Sequence, residues 1–419
     1  MAIFRFENSL LRFRAFLGNR KILSLHKRIP FSRIQADYAA RLRELKGCLG
    51  QRKIRVGFLV NEPAKWQYQS LYEELEASGI FEPVVLATVL AGDSRHYTGY
   101  QETLDFFQRQ GLRMEKAYDE QCREALPLSR FGVDIVFYMQ PWYLADVHHP
   151  ITVSRYALTC YVPYAFSVVQ TPIRYLREFH SLIWNMFIQD ERTLDELQSL
   201  VRKPITNCRC VGYPKLDGYF APCPAWGEKK KIVIYAPHHA FEKGSLKLAT
   251  FQHNGLDILR LAQKYREQIR WVFKPHPRFR HAVIKNGIMT KEEIDAYYAA
   301  WSELGEVYES GAYFPLFRNS AALITDCGSF LGEYVPTGRP LLHLWSPDAP
   351  YNAMIRELSA SFYRIEDFSK LEEEFVRVVI EGDDYKKEER LRKGRSLYDP
   401  AEKSAAKMLR VLTESIAGA

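Results

Sequence analysis

Short apolar runs of strand length alternate with helical or polar stretches along most of this chain, in two successive series. The strand-like runs of the first series are Ile54–Val60, Pro83–Val89, Val133–Met139, Ala157–Val162 and Leu182–Ile188. Those of the second series are Ile232–Tyr235, Arg270–Lys274, Ala321–Thr325 and Pro340–Leu344. Parallel neighbours in a sheet need a long crossover connection, which is usually helical. The alternation therefore predicts the α/β class, with a parallel sheet covered by helices on both faces, built twice.

The two series predict two doubly wound, Rossmann-like domains, and 419 residues are enough for both. We expect a basic helical segment at 1–52, an N-terminal domain at 53–225, a C-terminal domain at 226–398 and a last helix at 399–419. Ligands of open parallel sheets bind outside the carboxyl ends of the strands. We therefore expect the two domains to face a cleft lined by those loops, with the last helix bracing one domain against the other.

The positive charge of the chain is concentrated at its N-terminal end. The formal net charge is +8, yet the first 55 residues hold 14 Lys and Arg against 3 Asp and Glu, so the rest is slightly acidic. Between residues 4 and 17, phenylalanine and leucine are interleaved with arginine. A basic helix with an apolar face favours an anionic lipid surface, although packing on its own domain is an equal alternative. We expect residues 1–50 to bind the inner face of the cell membrane from the cytoplasm, and we expect no nucleic-acid groove in the acidic remainder.

The seven cysteines indicate reduced thiols. Only Cys208 and Cys210 lie close together in the sequence, and neither a second pair nor a nearby histidine completes a zinc motif. The chain also has no glycine-rich phosphate fingerprint of the G-x-G-x-x-G or Walker type. We therefore expect no metal and no cofactor.

The first of three candidate loops follows the strand at 232–235. It presents His238 and His239 together after Pro237. Adjacent residues that leave a strand point in different directions, so at most one of the two faces a given ligand atom. A purely structural loop is the more common outcome for such a pair.

The second loop follows the strand that ends near residue 274. Lys274, His276 and Arg278 stand at alternate positions, separated by two prolines that restrict the backbone. Three donor side chains on roughly one side suit a diphosphate, whose charges need several directed donors. The alternative is a solvated basic turn.

The third loop follows the strand at 321–325 and leads into a helix. It contains Asp326, Gly328 and Ser329, and Glu333 lies four residues beyond Ser329 on the same helix face. Free backbone N–H groups at the start of a helix, together with a serine hydroxyl, form a candidate anion-binding site. Glu333 could reach a ribose diol. The alternative is that Asp326 and Ser329 only cap the helix, which the sequence does not separate from phosphate binding.

The order of motifs in this half of the chain resembles that of a known family. The motifs are Tyr235-Ala-Pro237, Lys274-Pro-His-Pro277 and Thr325-Asp-Cys-Gly-Ser329 with Gly338-Arg-Pro340, preceded by Val211-Gly-Tyr-Pro-Lys-Leu-Asp217. Over residues 155–415 they resemble the signature of the CDP-glycerol glycerophosphotransferases, the teichoic-acid primases and polymerases. The resemblance implies a GT-B fold.

The resemblance also implies a reaction and roles for four residues. An acceptor hydroxyl would attack the β-phosphorus of CDP-glycerol and release CMP. His276 and Ser329 would hold the donor phosphates, and Asp326 and Glu333 would lie in the nucleotide pocket. Residues 226–398 would then be the nucleotide-donor domain and residues 53–225 the acceptor domain.

One departure from the family concerns the general base. Members usually carry a His-Gly element in the first domain, whose histidine is the proposed base. The corresponding stretch here, Cys160–Phe166, contains no histidine. Either His238 or His239 takes the proton, or the acceptor chemistry differs.

The function expected from these observations is that of a cytoplasmic, peripheral membrane transferase. It would move a polyol phosphate, glycerol phosphate first, from a CDP-activated donor to a lipid-linked or polysaccharide acceptor in cell-envelope polymer synthesis. The alternatives are a GT-B glycosyltransferase or a sugar-nucleotide epimerase that uses a nucleotide sugar. The missing His-Gly element favours a third alternative, a non-catalytic partner in envelope-polymer assembly.

Overall fold

Two parallel sheets, each with its own helices and core, organise the chain. The computed structural model describes residues 31–91, 98–169, 178–199, 201, 204–227, 229–241, 246–309 and 313–419. Of these described residues, the first unit takes in those up to residue 164, those between 171 and 215 and those at 402–419, and the second takes in those between 165 and 170 and those between 216 and 401. The chain therefore enters the second unit briefly before residue 171 and returns to the first at its C-terminal end.

The first unit is built on seven parallel strands. They are β1 (Ile54–Val60), β2 (Phe81–Ala87), β3 (Met114–Lys116), β6 (Ile135–Tyr138), β7 (Leu158–Tyr161), β8 (Asn185–Ile188) and β9 (Cys208–Cys210), with a small separate hairpin of β4 (Tyr118–Asp119) and β5 (Glu124–Ala125). Its helices before residue 200 are α1 (Phe31–Cys48), α2 (Gln69–Ala77), α3 (Thr98–Arg109), α4 (Pro150–Val153), α5 (Glu178–Leu182) and α6 (Glu191–Ser199). The strand order is β3-β2-β1-β6-β7-β8-β9.

Strand β1 shows why this sheet is covered on both faces. Val56, Phe58 and Val60 pack in one core cluster, whereas Leu59 packs in another. Burial on both faces is the property that distinguishes a central parallel strand from a half-solvated antiparallel one. A Cβ on Gly57 would lie 2.6 Å from Leu86 Cδ1, so the neighbouring strand leaves no room for a side chain there.

The second unit is built on six parallel strands. They are β10 (Lys231–Ala236), β11 (Ile269–Phe273), β12 (Gly305–Val307), β13 (Ala322–Thr325), β14 (Leu341–Leu344) and β15 (Tyr363–Ile365), in the order β12-β11-β10-β13-β14-β15. Its helices are α7 (Phe251–Lys264), α8 (Phe279–Lys285), α9 (Lys291–Leu304), α10 (Phe314–Asn319), α11 (Gly328–Glu333), α12 (Ala353–Leu358), α13 (Leu371–Phe375) and α14 (Lys387–Leu397).

Both sheets reverse their chain order beside their first strand. In the first unit, β1 has β2 on one side and β6 on the other, and in the second unit β10 lies between β11 and β13. Connections that leave in opposite directions open a crevice at the carboxyl ends of the two strands, which is where doubly wound sheets bind ligands. The topology therefore singles out the carboxyl ends of β1 and β6, and those of β10 and β13.

The two terminal segments belong to the first unit. In one core cluster, Ile34, Tyr38 and Leu45 of α1 pack with Met408 and Leu412 of α15 (Ser404–Ala417). The sequence predicted a separate basic segment and a helix that braces the two domains. The apolar faces of α1 and α15 complete the core of the first unit, and the bracing role of the last helix stays a prediction.

The membrane-binding expectation concerns mainly residues 1–30, which lie outside the described residues. Within the described part of the chain, no helix combines the length and the hydropathy needed to cross a bilayer.

The α/β class and the two doubly wound units are confirmed, and every strand predicted from the sequence is present, with ends that differ by at most three residues and that coincide for Ile54–Val60. The sequence missed β3, β9, β12 and β15, which have three residues each and form the four outer edges of the two sheets. Short edge strands bury too little side chain to produce an apolar run.

A buried carboxylate holds the basic N-terminal segment onto the first sheet. Asp134, which precedes β6, accepts hydrogen bonds from Arg41 and from the Arg52 Nη1, the latter at 2.6 Å. It also accepts a bond of 2.8 Å from the main-chain N–H of Arg55. The Asp134 side chain is only 2% exposed, so its charge depends on these donors.

We expect Asp134→Asn to lower the free energy of unfolding of the first unit by about 2–4 kcal/mol, because it leaves buried donors without an anionic acceptor. Urea denaturation measures this loss. The control is Glu76→Gln, which breaks a pair of two half-exposed side chains with Arg113 and should change stability by less than about 0.5 kcal/mol. Equal effects of the two substitutions would contradict the role of Asp134.

Candidate functional site

Three histidines come together at the carboxyl ends of two neighbouring strands of the second unit. The rings of His239 and His276 are stacked with centroids 3.8 Å apart, and His238 lies 4.5 Å from His239 and 5.3 Å from His276. The loops after β10 and β11 stay paired beyond the strands, because the N–H of His276 donates to the carbonyl of Pro237 at 3.1 Å. Two separate sequence motifs thus form one cluster.

Backbone hydrogen bonds fix which ring nitrogens carry protons. The N–H of Ala240 donates to His238 Nδ1, and the N–H of Arg278 donates to His276 Nδ1, each at 3.1 Å. A backbone amide can only donate, so both Nδ1 atoms are acceptors and both Nε2 atoms carry the proton. His238 and His276 therefore present Nε2–H donors, while His239 Nδ1 is buried with no hydrogen-bond partner among the described residues.

All three imidazoles are neutral near pH 7. Burial lowers the pKa of His238 to about 3 and that of His239 to about 4. Burial also lowers the pKa of His276 to about 2, with the neighbouring His239, His238, Arg278 and Lys274 adding to the effect. The sequence predicted a cluster of cationic or donor groups here, and His276 acts in it as a neutral donor.

The cluster has the size of a metal site but the wrong hydrogen bonds for one. One nitrogen from each of His238, His239 and His276 lies within 4.8 Å of the others. The spacing of the motifs in the sequence did not reveal this group. A metal-bound imidazole donates through its second nitrogen, whereas His238 and His276 both accept there. With the positive charges of Lys274 and Arg278 also acting on His276, the cluster suits an anion better than a cation.

Asp326 joins the two strands that flank the reversal of the second sheet. Its Oδ1 accepts from the N–H of His238 at 2.6 Å, and its Oδ2 accepts from the N–H and the hydroxyl of Thr250 at 2.6 and 2.9 Å. The residue is fully buried, and burial raises its pKa to about 6 against the opposing effect of these hydrogen bonds. Both oxygens are occupied within the unit. Asp326 thus holds the His238 loop, and the nucleotide-pocket role implied by the family resemblance stays a prediction.

Lys274 and Glu333 lie among aromatic side chains. The Lys274 Nζ is 5.0 Å from the ring centre of Tyr308 and 5.2 Å from that of Tyr313, and the residue is only 7% exposed. The Tyr313 hydroxyl donates to the Glu333 carboxylate, and Glu333 is 1% exposed. No motif in the sequence indicated that these two side chains are enclosed by aromatic rings. Of the predicted cations of this loop, Arg278 is the one that is exposed.

Neither Asp326 nor Ser329 caps helix α11. The residue at the N-cap is Cys327, with no side-chain cap, and its N–H donates to the Thr325 hydroxyl at 2.8 Å. Ser329 is half-buried, and its hydroxyl has no hydrogen-bond partner among the described residues. A Cβ on Gly328 would lie 2.7 Å from Val168 Cγ2, so glycine is required there. The capping alternative is wrong for both side chains.

Comparison with known proteins gives a result for structure only. No family model and no curated protein sequence matches this chain. A structure from Listeria monocytogenes described as a UDP-N-acetylglucosamine 2-epimerase superposes with a TM-score of 0.58 at 14% identity, covering 88% of this chain and 98% of that one. The UDP-GlcNAc 2-epimerase from Neisseria meningitidis bound to UDP-GlcNAc gives 0.53 at 15%, covering 87% and 100%. The glycosyltransferase of kitacinnamycin gives 0.50 at 11%, covering 87% and 99%.

These similarities concern the fold. The chain has two Rossmann-like units of the GT-B type, as the sequence predicted. At such low identity they do not carry a reaction or a substrate over to this protein.

The neutral histidines predict a dependence of stability on pH. Between pH 6.5 and about 4 the unfolded chain binds protons at His238 and His276 that the folded chain does not, so the contribution of these two histidines to the free energy of unfolding falls as the pH falls. The slope is at most about 1.4 kcal/mol per pH unit for each ring. In His238→Asn and His276→Asn, a side-chain oxygen can still accept the backbone N–H but does not titrate. Denaturation at several pH values should show that both variants lose less of their free energy of unfolding as the pH falls. The control His253→Asn, at an exposed position, should lose as much as the unchanged protein. Parallel curves for all four proteins would contradict the neutral, buried state of the cluster.

Proposed function

We propose that this protein is a group-transfer enzyme whose donor is linked to a nucleoside diphosphate, and that the second unit binds the diphosphate of that donor. The observation that carries the proposal is the histidine cluster at the carboxyl ends of β10 and β11. His238 and His276 offer Nε2–H groups, and Arg278 adds an exposed positive charge. A diphosphate needs several directed donors, and neutral donors in a partly desolvated site bind it without an opposing buried charge.

The position of the cluster in the sheet supports the same proposal. It lies beside the reversal between β10 and β13, where ligands of doubly wound sheets bind. The hydroxyl of Ser329 follows β13 on the other side of that reversal and has no partner among the described residues. We propose that His276 and Ser329 form the two sides of the diphosphate-binding site, here called the diphosphate seat, and that Asp326 positions the His238 loop.

A nucleotide sugar is the donor that we propose first. UDP-GlcNAc is bound in the similarly folded epimerase from Neisseria meningitidis, and the kitacinnamycin protein is a glycosyltransferase. Transfer of a sugar to an acceptor hydroxyl would break the bond between the anomeric carbon and the β-phosphate oxygen, and would release a nucleoside diphosphate. A sugar-nucleotide epimerase would use the same seat without an acceptor.

A CDP-polyol is the second candidate, and the motif order of the second unit favours it. The motifs at 235–237, 274–277 and 325–329 resemble those of CDP-glycerol glycerophosphotransferases. In that reaction an acceptor hydroxyl attacks the β-phosphorus, the bond to the bridging oxygen breaks, and CMP leaves. The two candidates therefore differ in the nucleotide that is released.

For the proton of the acceptor hydroxyl we propose His239 before His238. His239 Nδ1 has no partner among the described residues, whereas His238 Nδ1 already accepts a backbone N–H. The sequence supports three further proposals. The acceptor would be lipid-linked or a polysaccharide, the protein would be cytoplasmic, and residues 1–50 would bind an anionic membrane. A non-catalytic role in polymer assembly is the competing hypothesis.

Donor turnover and product identity test the proposal together. The purified protein is incubated with an oligosaccharide, whose hydroxyls accept the transferred group, and with UDP-GlcNAc, UDP-glucose, CDP-glycerol or CDP-ribitol in turn, and the released nucleotides are separated by chromatography. A nucleoside diphosphate supports sugar transfer, and CMP supports polyol phosphate transfer. His276→Ala and Ser329→Ala should each lower the rate on the order of 10²–10³-fold, because each removes a donor to the leaving phosphate.

The matched control is His253→Ala, which removes an exposed histidine of the same unit on α7. Its rate should equal that of the unchanged protein. Melting temperatures of all three variants are recorded, so that loss of folded protein is not mistaken for loss of turnover. Full turnover in folded His276→Ala and Ser329→Ala would refute the diphosphate seat.

A further inference from the structure

The first unit has polar groups at the reversal point of its own sheet. Glu62 and Lys65 follow β1, and Gln140 follows β6, the neighbouring strand across the reversal. The Lys65 Nζ donates to Gln140 Oε1 at 2.7 Å and pairs with Glu62 Oε2, also at 2.7 Å. This bridge spans the position where a doubly wound sheet binds its ligand.

Aromatic rings lie directly beside this polar bridge. Trp142 and Tyr164 meet edge to face with centroids 5.7 Å apart, and the Lys65 Nζ is 5.9 Å from the Tyr164 ring centre. The Gln140 Nε2 donates to the carbonyl of Trp142 at 2.9 Å, which ties the rings to the bridge. Tyr143 follows with 64% of its surface exposed.

The backbone of Tyr143 indicates that its ring is not there for stability. Its φ is +55°, in the left-handed region that a bulky side chain rarely adopts. The N–H of Ala91 donates to its carbonyl at 2.8 Å and holds this conformation. An exposed ring on a strained backbone gains nothing for folding, and such residues concentrate at binding sites.

A buried acceptor near the same edge lacks a partner. Gln67 is 3% exposed and donates through Nε2 to the carbonyl of Val162, just after β7, at 2.9 Å. Its Oε1 is buried with no hydrogen-bond partner among the described residues. A buried carbonyl oxygen in this state calls for a donor such as a hydroxyl group.

We propose that this edge of the first sheet binds a neutral saccharide, the hydroxyl-bearing acceptor of the transfer reaction proposed above, on which this inference rests. The rings of Trp142, Tyr143 and Tyr164 supply flat apolar surface for the C–H face of a sugar ring. Glu62 and Gln140 supply hydrogen-bonding groups for its hydroxyls. The charge of Lys65 is matched by Glu62, so the described groups do not form the cationic surface that a polyphosphate acceptor would need.

Binding of defined probes to the full chain tests this inference. The neutral probes are maltotriose, cellotriose and N,N′-diacetylchitobiose, and the anionic probe is poly(glycerol phosphate). Saturation-transfer NMR and calorimetric titration at millimolar concentrations measure binding at low and at high salt. We expect at least one neutral saccharide to bind with an affinity that salt does not change, and we expect poly(glycerol phosphate) not to bind.

Two variants connect the binding to the aromatic rings. Trp142→Ala and Tyr143→Gly should each weaken saccharide binding on the order of tenfold. Glycine accepts a positive φ, so Tyr143→Gly removes the ring without strain and should keep the melting temperature of the unchanged protein. Phe31→Ala removes an exposed ring elsewhere in the same unit and should leave binding unaffected.

The proposal is overturned if no neutral saccharide binds the folded protein, if poly(glycerol phosphate) alone binds, or if Tyr143→Gly and Trp142→Ala bind as tightly as the unchanged chain. Binding of the nucleotide donor is followed in the same samples. Donor binding without saccharide binding would refute this inference alone, and saccharide binding without any donor binding would refute the proposed function instead.

Discussion

The candidate donor site depends on one buried carboxylate. Asp326 lies at the end of β13, yet its oxygens accept hydrogen bonds from the backbone of His238 after β10 and from Thr250 before α7. Without an anionic acceptor, two buried backbone N–H groups would lose their partners. The position of the His238 loop, and through the stacked rings that of His239 and His276, follows from this one group.

The electrostatics of the site follow from burial. Desolvation keeps the three imidazoles neutral, and the backbone amides of Ala240 and Arg278 select the Nε2–H form of His238 and His276. Neutral donors bind an anion without the cost of burying a second charge. The same backbone bonds oppose metal binding, although the three rings are close enough for it. The chemistry of this cluster is therefore decided by backbone N–H groups that no side-chain motif specifies.

Much of the fold could be predicted from the sequence, because buried parallel strands read as continuous apolar runs. The four edge strands could not be predicted, because a strand of three residues such as Gly305–Val307 is too short to show a pattern of apolar residues. The sequence indicated five candidate site residues, because each follows a predicted strand. They are His238, His239, His276, Asp326 and Ser329. The sequence did not reveal that the Asp326 carboxylate accepts hydrogen bonds from backbone N–H groups, or that Lys274 and Glu333 are enclosed by aromatic rings. Such partners, Thr250 among them, are distant in sequence and depend on tertiary packing.

The most direct test of the central claim is the affinity for a diphosphate diester as a function of pH. UDP-GlcNAc and CDP-glycerol have no phosphate group that titrates between pH 5.5 and 8, so any pH dependence belongs to the protein. With His238 and His276 as neutral donors, the nucleotide donor should not bind more tightly as the pH falls across this range in calorimetric titrations. Asp326, a buried group of the site whose pKa of about 6 lies in this range, would on protonation only loosen the His238 loop. Binding that tightens by tenfold or more as the pH falls through about 6.5 would show imidazolium ions in the seat. That result, or the absence of binding by both donors, would contradict the account.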